Sequence, residues 1–257
     1  ANKLAIDAGY NYAANTHQFA NTYTVAPAPL EKGTYRTVNG NVATAWGLCA
    51  AAEKAGLPLF CGSYPITPAT VILEELAKRK DVMTELPLVV VDVQRGGPST
   101  GLPTKTEQSD LSQALYGRNG ECPVIVVAAS SPSDCFHYAF EAGRLAMEHM
   151  TPVILLTDGF IANGSEPWRI PSMKDYPAIQ PPIVDDAPEG GFMPYVRDEK
   201  LARGWAFPGK VGLEHRVGGL EKDCVKGCIS HDPANHQKMV STRAAKVAKA
   251  ADDIHAQ

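Results

Sequence analysis

No uninterrupted apolar run in the 257 residues approaches the ~20 that a membrane-spanning helix needs. Nor is there an excess of one charge. The 24 Lys and Arg stand against 28 Asp and Glu, a formal net charge of −4. Without a basic surplus there is no electrostatic ground for nucleic acid or an anionic membrane as partner, and neither is expected. A dense cysteine framework is missing too. Cys49, Cys61, Cys122, Cys135, Cys224 and Cys228 are widely spread and read as reduced thiols of a cytoplasmic protein. Cys224 and Cys228 form a C-x3-C pair beside His231 and His236, but no second pair completes a tetrahedral site. Two thiols in a polar loop are the preferred reading and a metal site the alternative. No three-cysteine cluster suggests an iron–sulfur centre. The sequence also lacks an H-x-x-x-H pair, a G-x-S-x-G elbow, a phosphate loop ending in Lys-Ser/Thr and a G-x-G-x-x-G fingerprint. Metallohydrolase, serine-hydrolase, Walker-type and dinucleotide-binding readings therefore find no support.

What is present is ordinary globular composition, 44% apolar and 20% charged, with enough length to bury a core without staples. Four apolar runs share one pattern: Leu57-Pro-Leu-Phe60, Leu86-Pro-Leu-Val-Val-Val91, Cys122-Pro-Val-Ile-Val-Val127 and Thr151-Pro-Val-Ile-Leu-Leu156. Pro is tolerated at the first position of a strand, where its missing donor harms no ladder. The last three runs are continuous rather than alternating, which predicts strands covered on both faces, as in a parallel sheet. Helices are expected between them. Residues 70–80 gather Leu73, Leu76 and Ala77 on one face, and Ser131-Pro-Ser-Asp134 reads as the start of a helix running to about Met147. The alternation predicts an α/β fold, a doubly wound and mainly parallel sheet, over residues 38–164. Residues 1–37 read as a helical piece and Pro-containing linker from a preceding domain. The Pro- and Gly-dense stretch 165–231 is expected to be an irregular arm ordered mainly by partner chains, with Phe192, Trp205 and Phe207 needing cover. Residues 232–257 read as a C-terminal helix capped by Asp232-Pro233, with Val240, Ala244, Val247, Ala248 and Ile254 on its buried stripe and its Arg and Lys mostly elsewhere.

In parallel sheets ligands bind beyond the carboxyl ends of the strands, so the following loops are the place to look for a site. The loop after the second run, Gln94-Arg-Gly-Gly-Pro-Ser-Thr-Gly-Leu-Pro-Thr104, is the richest. Arg95 offers a planar donor fork for carboxylate or phosphate, and Gly96-Gly97 can expose backbone N–H groups to an anion. The alternative is a loop shaped by Gly and Pro alone, with Arg95 paired to an acid. Thr67, in the turn Tyr64-Pro-Ile-Thr-Pro68, either meets a ligand or caps the next helix. Asp158 is an acid or a helix cap, the cap being preferred.

At these two loops the chain resembles the alpha subunit of 2-oxoacid:ferredoxin oxidoreductases, the branch acting on 2-oxoglutarate above all. The residues that carry the resemblance are Gly62-Ser-Tyr-Pro-Ile-Thr-Pro-Ala-Thr70 and Val93-Gln-Arg-Gly-Gly-Pro-Ser-Thr-Gly-Leu-Pro-Thr-Lys-Thr-Glu-Gln-Ser-Asp-Leu111. Further matches are Gly40-Asn-Val-Ala43, Asp158-Gly-Phe-Ile-Ala-Asn163, Pro194-Tyr-Val-Arg197, Gly212-Leu-Glu-His-Arg216 and Asp232-Pro-Ala-Asn-His236. The resemblance implies a domain holding the aminopyrimidine end of thiamine diphosphate. A beta subunit would hold the diphosphate, Mg2+ and a [4Fe–4S] cluster, with ferredoxin as electron acceptor and coenzyme A as acyl acceptor. Carried over residue by residue, it puts Tyr64, Pro65, Ile66, Thr67, Gly96 and Gly97 beside the cofactor. Thr67, Arg95, Ser99, Thr100 and Gly101 would line the substrate pocket. A dicarboxylate needs a second cation, for which Arg197 or His215-Arg216 is available; pairing of Arg197 with Asp198, Glu199 or a partner is the alternative.

Two departures accompany the resemblance. Family members carry two strand–helix units where Lys80-Asp-Val82 here runs almost directly into Met83, and those units include the Glu that activates the aminopyrimidine. No catalytic residue is therefore identified. The chain also resembles a central piece, following an additional N-terminal domain and preceding a transketolase-like one. The expected function is oxidative decarboxylation of 2-oxoglutarate to succinyl-CoA and CO2. The alternatives are the same chemistry on pyruvate or another 2-oxoacid, and a non-catalytic interface subunit.

Overall fold

In the computed structural model, residues 2–16, 26–59, 61–62, 87–97, 102, 105–117, 120–216 and 220–254 are described. They fall in two units, 1–34 and 35–257. The first holds helix α1 (Asn2–Thr16), which has no buried residue. Within it the Thr16 hydroxyl donates to the Tyr12 carbonyl at 2.8 Å.

The second unit is built on three parallel strands in the order β2 (Val89–Gln94), β4 (Val153–Asp158), β3 (Ile125–Ala128). Each starts just after its X-Pro dipeptide, at Pro87, Pro152 and Pro123, as the sequence predicts. One face of the sheet, carrying Val89, Val91, Ile125, Val127, Val153 and Leu155, packs on helix α4 (Asp134–His149) through Ala142, Leu145 and Ala146. The other face is less sealed than expected: Leu88 is 56% and Val90 41% exposed. The first apolar run forms no strand over its described residues, 57–59. Gly56, in the left-handed conformation at φ 65°, ends helix α2 (Gly40–Ala55). The Leu57 N–H then turns back to the Ala52 carbonyl at 3.1 Å, a helix-closing bond that takes the donor a ladder would need. Leu59 and Cys61 instead pack around Ala45 with Val91 and Val93. The helix expected at 70–80 and the junction at 80–83 lie outside the described residues.

Helices α2 and α4 pack very closely. A Cβ at Gly47 would sit 2.3 Å from the Phe136 carbonyl oxygen, and one at Gly143 2.6 Å from the Ala51 Cβ. Both glycines are required by this approach. Helix α4 starts at Asp134, whose N–H donates to the Ser131 hydroxyl at 3.3 Å, the hydroxyl contact the sequence predicts. The Glu166 carboxylate caps it from outside, accepting from the Ser133 N–H at 2.7 Å and the Ser131 hydroxyl at 2.8 Å. That carboxylate comes from strand β5 (Ser165–Arg169), antiparallel to β1 (Tyr35–Asn39). The first five residues of the expected irregular arm are thus a strand; a two-stranded ribbon tolerates Pro167. Trp168 anchors the ribbon, buried against Phe136 with ring centroids 5.2 Å apart.

The rest of the arm has three isolated bridges: Ile183 with Trp205, Arg197 with Arg203, and Lys222 with Ile229. Phe192 packs on His215, and Trp205 on Phe207. These rings are half-buried within the chain itself. Lys200 ties the arm down, reaching Glu148 of α4 and Asp253 at 2.9 Å each. Helix α6 (Pro233–Lys249) begins as predicted, with the Asp232 carboxylate accepting from the Ala234 N–H. Its buried face differs from the expected stripe. Ala244 and Ala248 are exposed, while Met239 and Lys246 are buried, because Lys246 lays its stem inward to reach the Met150 carbonyl at 3.0 Å.

Candidate functional site at the carboxyl ends of the strands

The parallel register sets Gln94, the last residue of β2, opposite Asp158, the last of β4. Both are buried, so their polar groups need partners. The Gln94 amide donates to the Thr157 carbonyl at 3.1 Å, and its oxygen accepts the Asp110 N–H at 3.1 Å, where helix α3 (Leu111–Tyr116) begins. Asp158 resolves as the preferred reading had it, a cap. One carboxylate oxygen accepts from the Phe160 and Ile161 N–H groups at 2.7 and 3.0 Å, opening helix α5 (Gly159–Asn163). The other accepts from Gln108 at 2.5 Å. The strand ends are therefore fastened to the chain returning from the glycine-rich loop.

That loop closes on itself. The Gly96 N–H donates to the Lys105 carbonyl at 2.8 Å and the Leu102 N–H to the Gly96 carbonyl at 3.0 Å. The Gly97 N–H donates to the Glu107 carboxylate at 3.3 Å. The expectation that these two N–H groups stand open for an anion is corrected: an internal carbonyl and an internal carboxylate take them. Arg95, half-buried, remains the cation placed at this end. Gly97 is exposed, and an added Cβ there would meet no atom of the described residues within 4 Å. Leu59 and Cys61 pack around Ala45 together with Val91 and Val93 of β2; of the loop that follows, 63–68 lie outside the described residues. Tyr64, Pro65, Ile66, Thr67, Ser99, Thr100 and Gly101 lie outside the described residues.

The other strand ends serve structure. After β3, the N–H and hydroxyl of Ser130 both donate to Asp134 at 2.8 Å. A cavity of about 540 Å³ opens there, lined by Ser130, Asp134, His137, Trp168 and Tyr176. Sequence reasoning gave Asp92 no role. It shares a sheet face with Gln94, and burial together with the neighbouring Asp110 raises its carboxyl above the ordinary carboxylate range. Alternation along β2 was the signal available for that placement.

Arg197 does not join Arg95. It lines a cavity with Leu88, Pro123 and Pro152, at the amino ends of the strands, while Arg95 follows the carboxyl end of β2. Among the described residues it makes no ion pair with Asp198 or Glu199 either; its guanidinium donates to the Leu201 carbonyl at 2.9 Å. His215 donates from Nδ1 to the Leu213 carbonyl at 2.9 Å, and Arg216 is exposed. The C-x3-C pair forms no metal cluster among the described residues.

Comparison with known proteins places this geometry. Residues 79–229 match the pyruvate flavodoxin/ferredoxin oxidoreductase, thiamine diphosphate-binding family. The 2-oxoglutarate oxidoreductase subunit KorA of Mycobacterium tuberculosis is 49% identical over 99% of this chain and 46% of its own length. The 2-oxoglutarate synthase subunit KorA of Methanothermobacter marburgensis is 30% identical, over 84% of this chain and 68% of its own. Among solved structures, 2-oxoglutarate:ferredoxin oxidoreductase from Magnetococcus marinus superposes with a TM-score of 0.84 at 29% identity. That likeness covers 99% of this chain and 51% of the other. The chain thus spans about half the length of the relatives it matches along nearly its whole extent. The match over 79–229 and the KorA identities, on a parallel α/β sheet with a glycine-rich loop at its carboxyl end, make this chain a member of the pyruvate flavodoxin/ferredoxin oxidoreductase, thiamine diphosphate-binding family.

Proposed function

We propose that this chain is the alpha-type portion of an enzyme that converts 2-oxoglutarate and coenzyme A to succinyl-CoA and CO2, passing two electrons to ferredoxin. The observation that carries this reading is the 49% identity, over 99% of the chain, with a 2-oxoglutarate oxidoreductase subunit. The Magnetococcus structure, which holds 2-oxoglutarate, coenzyme A and succinyl-CoA, supports the same substrates. Thiamine diphosphate, when bound, supplies the electron sink for decarboxylation. Tyr64, Pro65, Ile66, Thr67, Gly96 and Gly97 would hold its aminopyrimidine end, and a beta subunit would hold Mg2+ and a [4Fe–4S] cluster. Arg95, with Thr67, Ser99 and Thr100, holds the carboxylate next to the 2-keto group. The cytoplasm is the proposed compartment.

A second reading, a non-catalytic interface subunit, has one observation in its favour. The alignment with the tuberculosis relative runs over 303 positions, so at least 46 of them have no residue of this 257-residue chain. That number accords with the loss of two strand–helix units near 81–83 and, with them, of the aminopyrimidine-activating Glu.

Steady-state kinetics on the assembled enzyme, with 2-oxoglutarate and pyruvate, separate the readings. The first requires turnover, preference for 2-oxoglutarate, and an Arg95→Ala loss of roughly ten- to hundredfold in kcat/KM on both substrates, the worth of a charge-assisted contact. Equal use of pyruvate removes the substrate assignment. Assembly without turnover supports the interface reading.

A further inference from the structure

The amino ends of the three strands are apolar by construction. Pro87, Pro123 and Pro152 have no N–H, and Leu88, Val90, Val124 and Ile154 follow them. Helix α6 adds Met239 and Val247, and the result is the floor of a cavity of about 750 Å³. The wall of that cavity carries five cations, Arg197, Arg203, Lys222, Arg243 and Lys246, against two carboxylates, Glu121 and Glu221. The arm contributes Arg197 and Arg203, bridge partners across a tight turn, with both guanidinium carbons within 6 Å of the Tyr195 ring, at 5.9 and 5.7 Å. Helix α6 contributes Arg243 and Lys246.

These cations are unevenly compensated. Arg243 lies 3.7 Å from both Glu121 and Glu221, acids that it shares with His236. Arg197, Arg203 and Lys246 have backbone carbonyls as their acceptors: Leu201 at 2.9 Å, Gly204 at 3.5 Å and Met150 at 3.0 Å. No carboxylate among the described residues forms an ion pair with any of the three. Lys246 is only 9% exposed. An ammonium has three donors, of which the Met150 carbonyl takes one. Burial, then the proximity of Arg197, Arg203 and Arg243, outweighs Asp198 and lowers the Lys246 ammonium to about 8. Burying like charges together without a counter-charge is costly, and an entering anion relieves that cost.

We propose that this amino-end cavity binds a small phosphate-bearing ligand, its phosphate held by Lys246, Arg203 and Arg197 and its apolar or aromatic body seated on Val90, Ile154 and Met239. The cavity's volume is that of a small-molecule site, and the buried Lys246 lines it, which favours a small ligand over a docked acidic segment. The site is separate from Arg95, which follows the opposite ends of the same strands, so the inference does not rest on the proposed reaction.

The test is isothermal calorimetry at low ionic strength on the assembled enzyme, titrating phenyl phosphate and inorganic phosphate into wild type, Lys246→Met and Arg203→Gln. Turnover of 2-oxoglutarate is followed in parallel. Phenyl phosphate is expected to bind and to bind more tightly than inorganic phosphate. Lys246→Met should weaken it about tenfold or more and Arg203→Gln by a smaller factor, with turnover unchanged. Arg203 is only half-buried, so its variant remains informative if Lys246→Met fails to fold. No binding, equal binding of the two probes, or undiminished binding in a folded variant overturns the proposal. An acidic segment of the complete protein already occupying the cavity would show as no binding, with thermal destabilisation in both variants; that outcome overturns it too.

Discussion

At the carboxyl ends of the strands, Gln94, Asp158 and Glu107 each bond to a neighbouring backbone or side-chain donor. At the amino ends, Arg197, Arg203 and Lys246 face one another with backbone carbonyls as their partners. The same three strands thus end in a pre-assembled frame at one side and in crowded positive charge at the other. Hydrogen bonds inside the frame fix where the Arg95 loop stands without help from a ligand. The charge at the far end is stable only against the folding energy of the rest, because each buried cation opposes the next. The comparison teaches that the site predicted from loop chemistry is held in place by neutral and anionic groups. The clustered cations lie at the other end, where the sequence offered Arg197 as a second substrate cation but gave no sign of Arg203 and Lys246 beside it.

The largest expected effect tests the crowded end. Lys246 has a folded value near 8, below the usual 10.5, so between these pH values the unfolded chain binds more protons than the folded one. Stability should therefore rise as pH increases from about 8 to 10.5, by at most about 3 kcal/mol, and Lys246→Met should abolish that rise. Urea denaturation across this range measures it; a wild-type curve as flat as the variant's would break the contrast between the ends. Next comes the frame. Asp158→Ala removes the α5 cap and the Gln108 contact and should cost about 2 kcal/mol in the same assay. A loss near zero would mean that the carboxyl end is not held by these bonds. The smallest effect sharpens the picture at β3. Burial pushes the Glu166 carboxyl up, but bonds from the Ser133 side chain and N–H and the Ser131 hydroxyl outweigh it, and the net shift is downward. Its contribution is present above the ordinary Glu value and lost as pH falls through the folded one. Glu166→Gln should cost about 1 kcal/mol at neutral pH and reduce the acid sensitivity of melting.

Where the sequence signal was local, it read correctly. The X-Pro dipeptides at 87, 123 and 152 mark strand starts because a missing N–H is harmless only there. Asp158 and Asp232 cap helices because their carboxylates reach N–H groups two or three residues ahead. Leu57-Pro-Leu-Phe60 misled because apolar character cannot report that the Leu57 N–H is already taken by helix closure. At the start of α4 the Ser131 hydroxyl meets the Asp134 N–H as its local spacing allows, but the carboxylate that joins it comes from Glu166, 33 residues beyond Ser133, which no local spacing reports. The face of α6 shifted because one long side chain, Lys246, found a carbonyl at the end of α4, a contact no periodicity contains.

By itself the sequence determined the strand-loop-helix alternation, the parallel α/β class and the position of Arg95 at a strand end, since these follow from side-chain pattern and backbone donors along the chain. Tertiary structure alone decided which residues share a site. It put Arg197 at the opposite end of the sheet from Arg95 and brought Arg203 and Lys246 beside it. Residues 197 and 246 are far apart in sequence but close in space because the arm and α6 both pack over the same strand ends. Long-range packing of that kind depends on shape and burial summed over many residues and leaves no spacing to read.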